Sequence, residues 1–226
     1  GNAWEYVIAH ELFHQWFGDY VTTESWSNDQ LGYLAGENET KPLVRFYYKD
    51  REDIFDAVSY NKGGRILHML RNLLGDSAFF NGLRLYLNTH RFKAAEVHHL
   101  RLAMEEVSGR DLNWFFNQWY YGSGHPKISI QYLYNDAAKQ VKVVVQQTQT
   151  TQSAFRFPLA IDLYRGTTRK RYSVWAEHRT DTFSFPYDQR PDLINVDAEK
   201  ILLAEKKDPK TISQFFHQYR YAGNYI

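Results

Sequence analysis

The hydrophobic and polar positions of this chain change their period near residue 122. Before that point apolar residues recur at the three- and four-residue spacing of helices, and after it they alternate with polar residues as in strands. In the first predicted helix, over 4–17, apolar residues surround the whole circumference, which indicates burial. The spacing predicts further helices over 62–74, 78–90, 95–109 and 112–121.

Small and polar residues mark the predicted ends of these helices. Ser77 and Asp111 precede helical stretches and are predicted N-caps. Gly75, Gly109 and Gly122 follow the last apolar residue of a stretch and are predicted to end the helices.

The second half of the chain predicts an antiparallel β-sandwich. Turn signals separate the alternating stretches that follow the GSGHPK segment at 122–127, and a further strand or two is expected within 191–207. The predicted strands cover 127–134, 140–149, 155–164, 170–178 and 182–187. The basic run TRKRY at 168–172 is interpreted as a solvated strand face. The tail, 208–226, becomes helical again, and we expect it to be the first helix of a further domain.

Composition narrows the class of protein. The 226 residues are 43% hydrophobic and 17% aromatic with a formal net charge of +1, which favours a packed globular chain and does not indicate nucleic-acid or membrane binding. The absence of cysteine excludes disulfides, thiolate metal sites and cysteine nucleophiles. No apolar run reaches the length of a transmembrane segment, and the first residues do not form a signal peptide, so we expect a soluble chain whose compartment and oligomeric state stay open.

One motif carries catalytic chemistry. His10 and His14 lie four residues apart on the first predicted helix, so both imidazoles project from one face and can reach one zinc ion at about 2.0–2.1 Å. Glu11 lies beside them, placed to accept a proton from water. The alternative is a surface helix with an ordinary His–Glu pair. Burial of that helix argues against this alternative, because buried polar groups need partners.

The surrounding residues resemble those of a known family. HELFHQWFGDYVTTESW, residues 10–26, resembles the zinc-motif helix of the aminopeptidase N family, gluzincin metallopeptidases with the pattern H-E-L-x-H-Q-W-F-G-x-x-V-T followed by Trp. SYNKGG, residues 59–64, resembles that family's Y-x-K-G motif. The resemblance implies an α+β fold: a helical, thermolysin-like catalytic lobe over 1–124, a β-sandwich over 125–206 and the first helix of a truncated helical domain over 207–226.

The resemblance also implies roles for individual residues. His10 and His14 would be ligands of one zinc ion, and Glu11 would be the general base. Tyr60 would donate a hydrogen bond to the oxyanion that forms on the peptide substrate. A tyrosine packed in the core is the alternative for Tyr60.

Two elements of the family pattern are missing. The third zinc ligand of the family is a Glu nineteen positions after the second His, where this chain has Tyr33. We therefore expect a few dozen residues to be absent near 28–30, and with them the ligand. The nearest carboxylates, Glu24, Glu37 and Glu39, are not assigned as substitutes. The family's upstream exopeptidase motif is also lacking, so we expect a fragment with impaired activity.

The sequence thus favours a zinc metallo-aminopeptidase by descent. One alternative is a non-catalytic relative that acts as a binding or scaffold module, and another is a hydrolase that uses the same zinc machinery on esters or epoxides.

The remaining histidines are weaker candidates. The neighbouring His98 and His99 are predicted to point to different faces of a solvated helix. His68 is expected to be packed or half exposed, and His125 to belong to a turn.

Overall fold

The computed structural model describes residues 33–34, 36 and 38–222. The predicted helix over 4–17 and the proposed gap near 28–30 lie outside these residues. The chain divides into two compact units, Gly1–Gly124 and His125–Ile226. The three-part division derived from the sequence stays a prediction.

The described part of the first unit is helical. A 3₁₀ turn, Arg51–Ile54, and a π-helical turn, Val58–Lys62, precede the first regular helix. The helices are α1 (Gly63–Leu74), α2 (Asp76–Thr89), α3 (Val97–Ser108) and α4 (Asn113–Phe116), and α4 continues as a π-helical turn over Asn117–Tyr121. All four predicted helices in this region are therefore present.

The helix ends agree with the sequence in part. Gly109 ends α3 in the left-handed conformation, with φ of 66°, and the Asp111 carboxylate accepts from the Asn113 N–H at 2.8 Å. The prediction that Ser77 is an N-cap is wrong. Gly75, with φ of 81°, separates α1 from α2 by itself, so the second helix begins one residue later and Ser77 lies inside it.

Close packing joins α2 to α3. Gly82 is buried in α2, and a Cβ built there would lie 2.5 Å from Met104 Sδ and 3.3 Å from Met104 Cα. The absence of a side chain at position 82 thus lets the two helices approach each other. The large core side chains of this unit are fully buried. They include Ile66, Leu70, Met104, Phe115, Phe116 and Trp119.

The second unit contains two β-sheets. Its strands are β1 (Lys127–Asn135), β2 (Gln140–Gln147), β3 (Phe157–Arg165), β4 (Thr168–Ala176), β5 (Thr180–Pro186), β6 (Leu193–Val196) and β7 (Glu205–Lys207). One sheet has the order β5-β2-β1-β7 and the other β4-β3-β6. The fold class is α+β, as the sequence predicted.

The strand pairings are antiparallel with one exception among the described strands. β7 pairs with β1 in parallel, with Lys127 opposite Glu205. The chain reaches β7 by crossing from one sheet to the other rather than through a hairpin, so its direction is not forced to be antiparallel. Alternate side chains of β1 and β2, such as Ile130 and Val143, are buried in the core.

The basic run lies on a solvated strand, as predicted. Arg169, Lys170 and Arg171 of β4 are exposed. Arg171 forms a bidentate ion pair with the buried Asp162 of β3, at 2.7 Å for both contacts. That hydrogen bonding raises the pKa of Arg171 above its ordinary value.

A short helix follows the sheets. α5 (Ile212–His217) begins at a capping box formed by Thr211 and Gln214 and continues as a π-helical turn over Gln218–Ala222. Ile212 and Phe216 on this helix are exposed. The helix itself was predicted, and its assignment to a further domain stays a prediction. None of the helices in the described part of the chain combines the length and hydrophobicity needed to cross a membrane.

Candidate active site

Of the four predicted site residues, the structure describes one. His10, Glu11 and His14 lie outside the described residues, as do Glu24 and Glu37. Tyr60 lies in the π-helical turn Val58–Lys62 of the first unit.

The turn that carries Tyr60 is wider than an α-helical turn. The N–H groups of Asn61 and Lys62 both bond to the carbonyl of Ala57, each at 3.0 Å, so one extra residue is inserted into the hydrogen-bond pattern. Such π-helical insertions occur often at functional sites. Tyr60 is 39% exposed, an exposure that disfavours the alternative of a tyrosine packed in the core. Its ring lies beside that of Phe55, with centroids 6.2 Å apart.

An ion pair holds the start of this turn. Asp56 Oδ1 accepts from the backbone N–H groups of Val58 and Ser59, each at 3.0 Å. The Arg45 guanidinium binds both carboxylate oxygens, at 2.7 and 3.1 Å, and also donates to Ser59 Oγ at 2.8 Å. The turn is thus fixed by one carboxylate that serves both as a helix cap and as an ion-pair partner.

The electrostatics of Asp56 reflect these contacts. Burial alone would raise the pKa of its carboxyl, but hydrogen bonds from Arg45 and from the Ser59 N–H, together with the charge of Arg45, lower that pKa to about 2. Asp56 is therefore ionised at neutral pH, and its carboxylate carries the negative charge that pairs with Arg45.

A buried lysine lies at the other end of the turn. The Lys62 side chain is fully buried, and Nζ donates to the Gly122 carbonyl at 3.3 Å. The ammonium also lies 5.9 Å from the centroid of the Tyr33 ring, an arrangement that favours a cation. Burial lowers the pKa of Lys62 to about 8. Position 33, where the family resemblance implies a carboxylate ligand, thus holds a buried phenol beside a lysine.

Sequence reasoning missed Arg45, Asp56 and the partners of Lys62. The Asp two residues before a helical stretch is a local signal that could have identified Asp56 as a cap. Nothing in the sequence pattern singles out Arg45, because its contact with Asp56 depends on how the intervening segment folds.

The other histidines differ from expectation in two places. His98 and His99 do not point apart: their ring centroids lie 3.9 Å apart, because His99 bends back toward the start of α3. His125 is buried, and its Nε2 lies 3.0 Å from Glu205 Oε1 in the second unit. His68 is half-buried, as expected, and burial and the charges of Arg65 and Arg71 lower its pKa to about 4.

One family model matches both the turn that carries Tyr60 and the HELFH motif at 10–14. The family model described as "Peptidase family M1 domain" matches residues 2–32 and 36–119. This match includes both the HELFH motif at 10–14 and Tyr60.

Individual relatives are similar over much of the chain. Aminopeptidase M1 of Arabidopsis thaliana is 27% identical over 216 residues, which cover 78% of this chain and 24% of that protein. Aminopeptidase M1-A of Oryza sativa subsp. japonica is 29% identical over 182 residues, which cover 65% of this chain and 20% of that protein. The chain thus spans about a quarter or less of the length of these two relatives.

A solved structure shares the fold. Aminopeptidase A of Legionella pneumophila, crystallised in complex with aspartic acid, matches with a TM-score of 0.76 and 18% sequence identity. The match covers 97% of this chain and 28% of that one.

Proposed function

The chain belongs to peptidase family M1, and on that premise we propose that it is part of a zinc-dependent aminopeptidase that hydrolyses peptide bonds at the N-terminal end of a peptide. The observation that carries this proposal is the family match itself, because it includes both the HELFH motif and the exposed Tyr60 on its π-helical turn. The peptide substrate and the single zinc ion belong to the proposal.

Two of the three protein ligands that a catalytic zinc ion needs are present in the sequence. His10 and His14 would supply two imidazole nitrogens, which zinc accepts readily, and the chain has no cysteine to compete. When bound, the ion would polarise the scissile carbonyl and make water easier to deprotonate. A catalytic zinc takes three protein ligands as a rule, and the third is not assigned, since position 33 is a tyrosine.

The protein's own groups would move the protons. Glu11 would accept a proton from the attacking water and pass it to the nitrogen of the leaving amine. Tyr60 would donate its hydroxyl hydrogen to the oxygen that becomes negative as the carbonyl is attacked. The loss of one such donor raises a barrier by about 2.7–4 kcal/mol.

The Arg45–Asp56 pair would act as a positioning element for Tyr60. The carboxylate holds the first two N–H groups of the turn, and the guanidinium holds both the carboxylate and Ser59. A donor aimed at a developing charge must be held before the reaction starts, because reorientation would cost part of the stabilisation.

Tyr33 favours a second candidate function, that of a non-catalytic binding or scaffold module. A buried phenol next to Lys62 offers no carboxylate to a metal. A binding module that keeps only the fold would hold no stoichiometric zinc and would turn over no substrate. We expect activity to be impaired rather than absent, because Glu11 and Tyr60 have no use in a scaffold.

Zinc titration separates the two functions. The purified chain is freed of metal, titrated with zinc by calorimetry and assayed with an amino-acyl anilide. The proposal expects one equivalent of zinc that is lost in the double variant His10→Ala/His14→Ala, and hydrolysis that is lost in Glu11→Gln, a variant that retains zinc. Absence of stoichiometric zinc, together with no Glu11-dependent hydrolysis, would overturn the proposed catalysis and favour the binding module instead.

A further inference from the structure

Three histidine rings lie close together, tilted against one another, where helix α2 ends and helix α3 begins. The ring centroids of His98 and His99 lie 3.9 Å apart, and those of His90 and His99 lie 4.2 Å apart. His90 follows the last residue of α2, whereas His98 and His99 lie in the first turn of α3. His99 therefore contacts an imidazole from each helix, and its protonation affects the junction between them.

The His99 ring also caps helix α3. Glu96 is the N-cap residue, and its backbone N–H donates to His99 Nδ1 at 2.9 Å. A ring nitrogen that accepts a hydrogen bond carries no proton, so the neutral His99 ring has its proton on Nε2. Protonation at Nδ1 would replace this acceptor by a donor and break the bond to Glu96.

Titratable groups from both helices face this ring. From α2 there is His90, with the Tyr86 ring 5.5 Å beyond it. From α3 there are His98 and Glu96, whose carboxylate lies 3.4 Å from His98 Nδ1. The pKa of His99 is lowered by partial burial and by the His98 and His90 imidazoles, and Glu96 opposes this shift.

The basic side chains of the segment between the helices have other contacts. The Arg91 guanidinium lies over the Phe92 ring, and Lys93 Nζ lies 3.5 Å from the Thr89 carbonyl. A positive charge in the first turn of a helix is also unfavourable because it meets the positive end of the helix dipole. A protonated His99 would therefore lose its cap, face other imidazoles and oppose the dipole of α3.

We propose that the cluster of His90, His99 and His98 is a pH-sensitive lock on the first turn of α3, closed while the His99 ring is neutral and released when that ring takes up a proton. The unfolded or frayed turn binds the proton more readily than the folded turn. The first turn is therefore most stable above the ordinary imidazole pKa of about 6.5, and it loses stability as the pH falls below that value toward the lower pKa of the folded ring.

Amide hydrogen exchange on the whole chain tests the lock. It is measured by NMR at about pH 7.5 and about pH 5.5, on either side of the ordinary imidazole pKa, with EDTA present and with correction for intrinsic exchange rates. We expect the Glu96 amide and the first intrahelical amides of α3 to lose about fivefold of their protection at the lower pH, the factor typical of a lost cap. Amides of α1 serve as the internal reference.

The variant His99→Gln is the matched control. Glutamine at this position keeps a side-chain acceptor for the Glu96 N–H and does not titrate, so its protection should be equal at both pH values. In His90→Gln and His98→Gln, the midpoint of the loss should move toward the ordinary value, because one neighbouring imidazole is gone.

A second measurement needs no variant. In the wild-type chain, the Glu96 amide chemical shift should follow the imidazole titration of His99 with the same midpoint. The proposal is overturned if protection is the same at both pH values, if His99→Gln loses as much protection as the wild type, or if the two midpoints differ.

Discussion

Replacement of Asp56 by asparagine tests how the turn that carries Tyr60 is held. Asparagine keeps the side-chain oxygen that accepts from the N–H groups of Val58 and Ser59, but it removes the negative charge that faces Arg45. The substitution therefore separates the ion pair from the helix cap.

The structure supplies the expected magnitude. Burial raises the pKa of Asp56, but contacts with Arg45, the Ser59 N–H and Lys41 together lower it to about 2, against an ordinary value of 3.8. At 1.36 kcal/mol per pKa unit, this lowering of the Asp56 pKa corresponds to about 2.4 kcal/mol of stabilisation of the folded state by the charged carboxylate. Since 21% of the Asp56 side chain is exposed, solvent screens part of this, and we expect Asp56→Asn to lower the free energy of unfolding by about 1–2 kcal/mol at neutral pH.

The lowered pKa of Asp56 also predicts how its contribution to stability changes with pH. The folded pKa of Asp56 lies below the unfolded value, so its stabilisation is fully present above about pH 4 and is lost as the pH falls through about 2. Urea unfolding, followed by the helical signal in far-ultraviolet circular dichroism, should show a gap between wild type and variant at pH 7 that closes in acid.

Asp76→Asn is the control for this experiment. Its partner Arg71 lies at 2.7 Å, but the Asp76 side chain is 68% exposed, and an exposed pair contributes less than about 1 kcal/mol. If both variants lose the same stability, or if the loss in Asp56→Asn persists at low pH, then the half-buried ion pair between Arg45 and Asp56 does not hold the turn.

Three further outcomes follow from the structure. Tyr60→Phe should reduce the kcat of anilide hydrolysis by about 10²–10³ without a change in Tm, as steady-state kinetics and thermal unfolding will show. Gly82→Ala should lower the free energy of unfolding in urea by about 1–3 kcal/mol, because the new Cβ meets the Met104 backbone as well as its sulfur. Lys62 has a folded pKa of about 8, below the ordinary 10.5, so wild-type stability should rise from pH 8 toward 10 relative to Lys62→Met, and parallel urea curves across this range would contradict the assigned burial.

Much of the secondary structure could be predicted from the sequence, because periodicity depends on near neighbours. The apolar repeats over 62–74 and 95–109 correspond to α1 and α3, and the alternating stretches correspond to β1–β5. The prediction for Ser77 failed because Gly75 both ends α1 and occupies the N-cap position of α2.

From the sequence, residues of the candidate site could be predicted only where they belong to a recognisable motif. The residues before and after Tyr60 identify it among seventeen tyrosines, and no periodicity would have done so. The roles of His10, Glu11 and His14 rest on the same kind of signal and stay predictions.

The sequence by itself determined which stretches become helices and strands, because those preferences act between residues a few positions apart. Tertiary structure decided the contacts between distant residues: Arg45 with Asp56, His90 with His99, and β7 beside β1 in parallel. These contacts form only when the intervening chain brings the partners together. No local sequence pattern specifies which of many possible partners will meet in the folded chain.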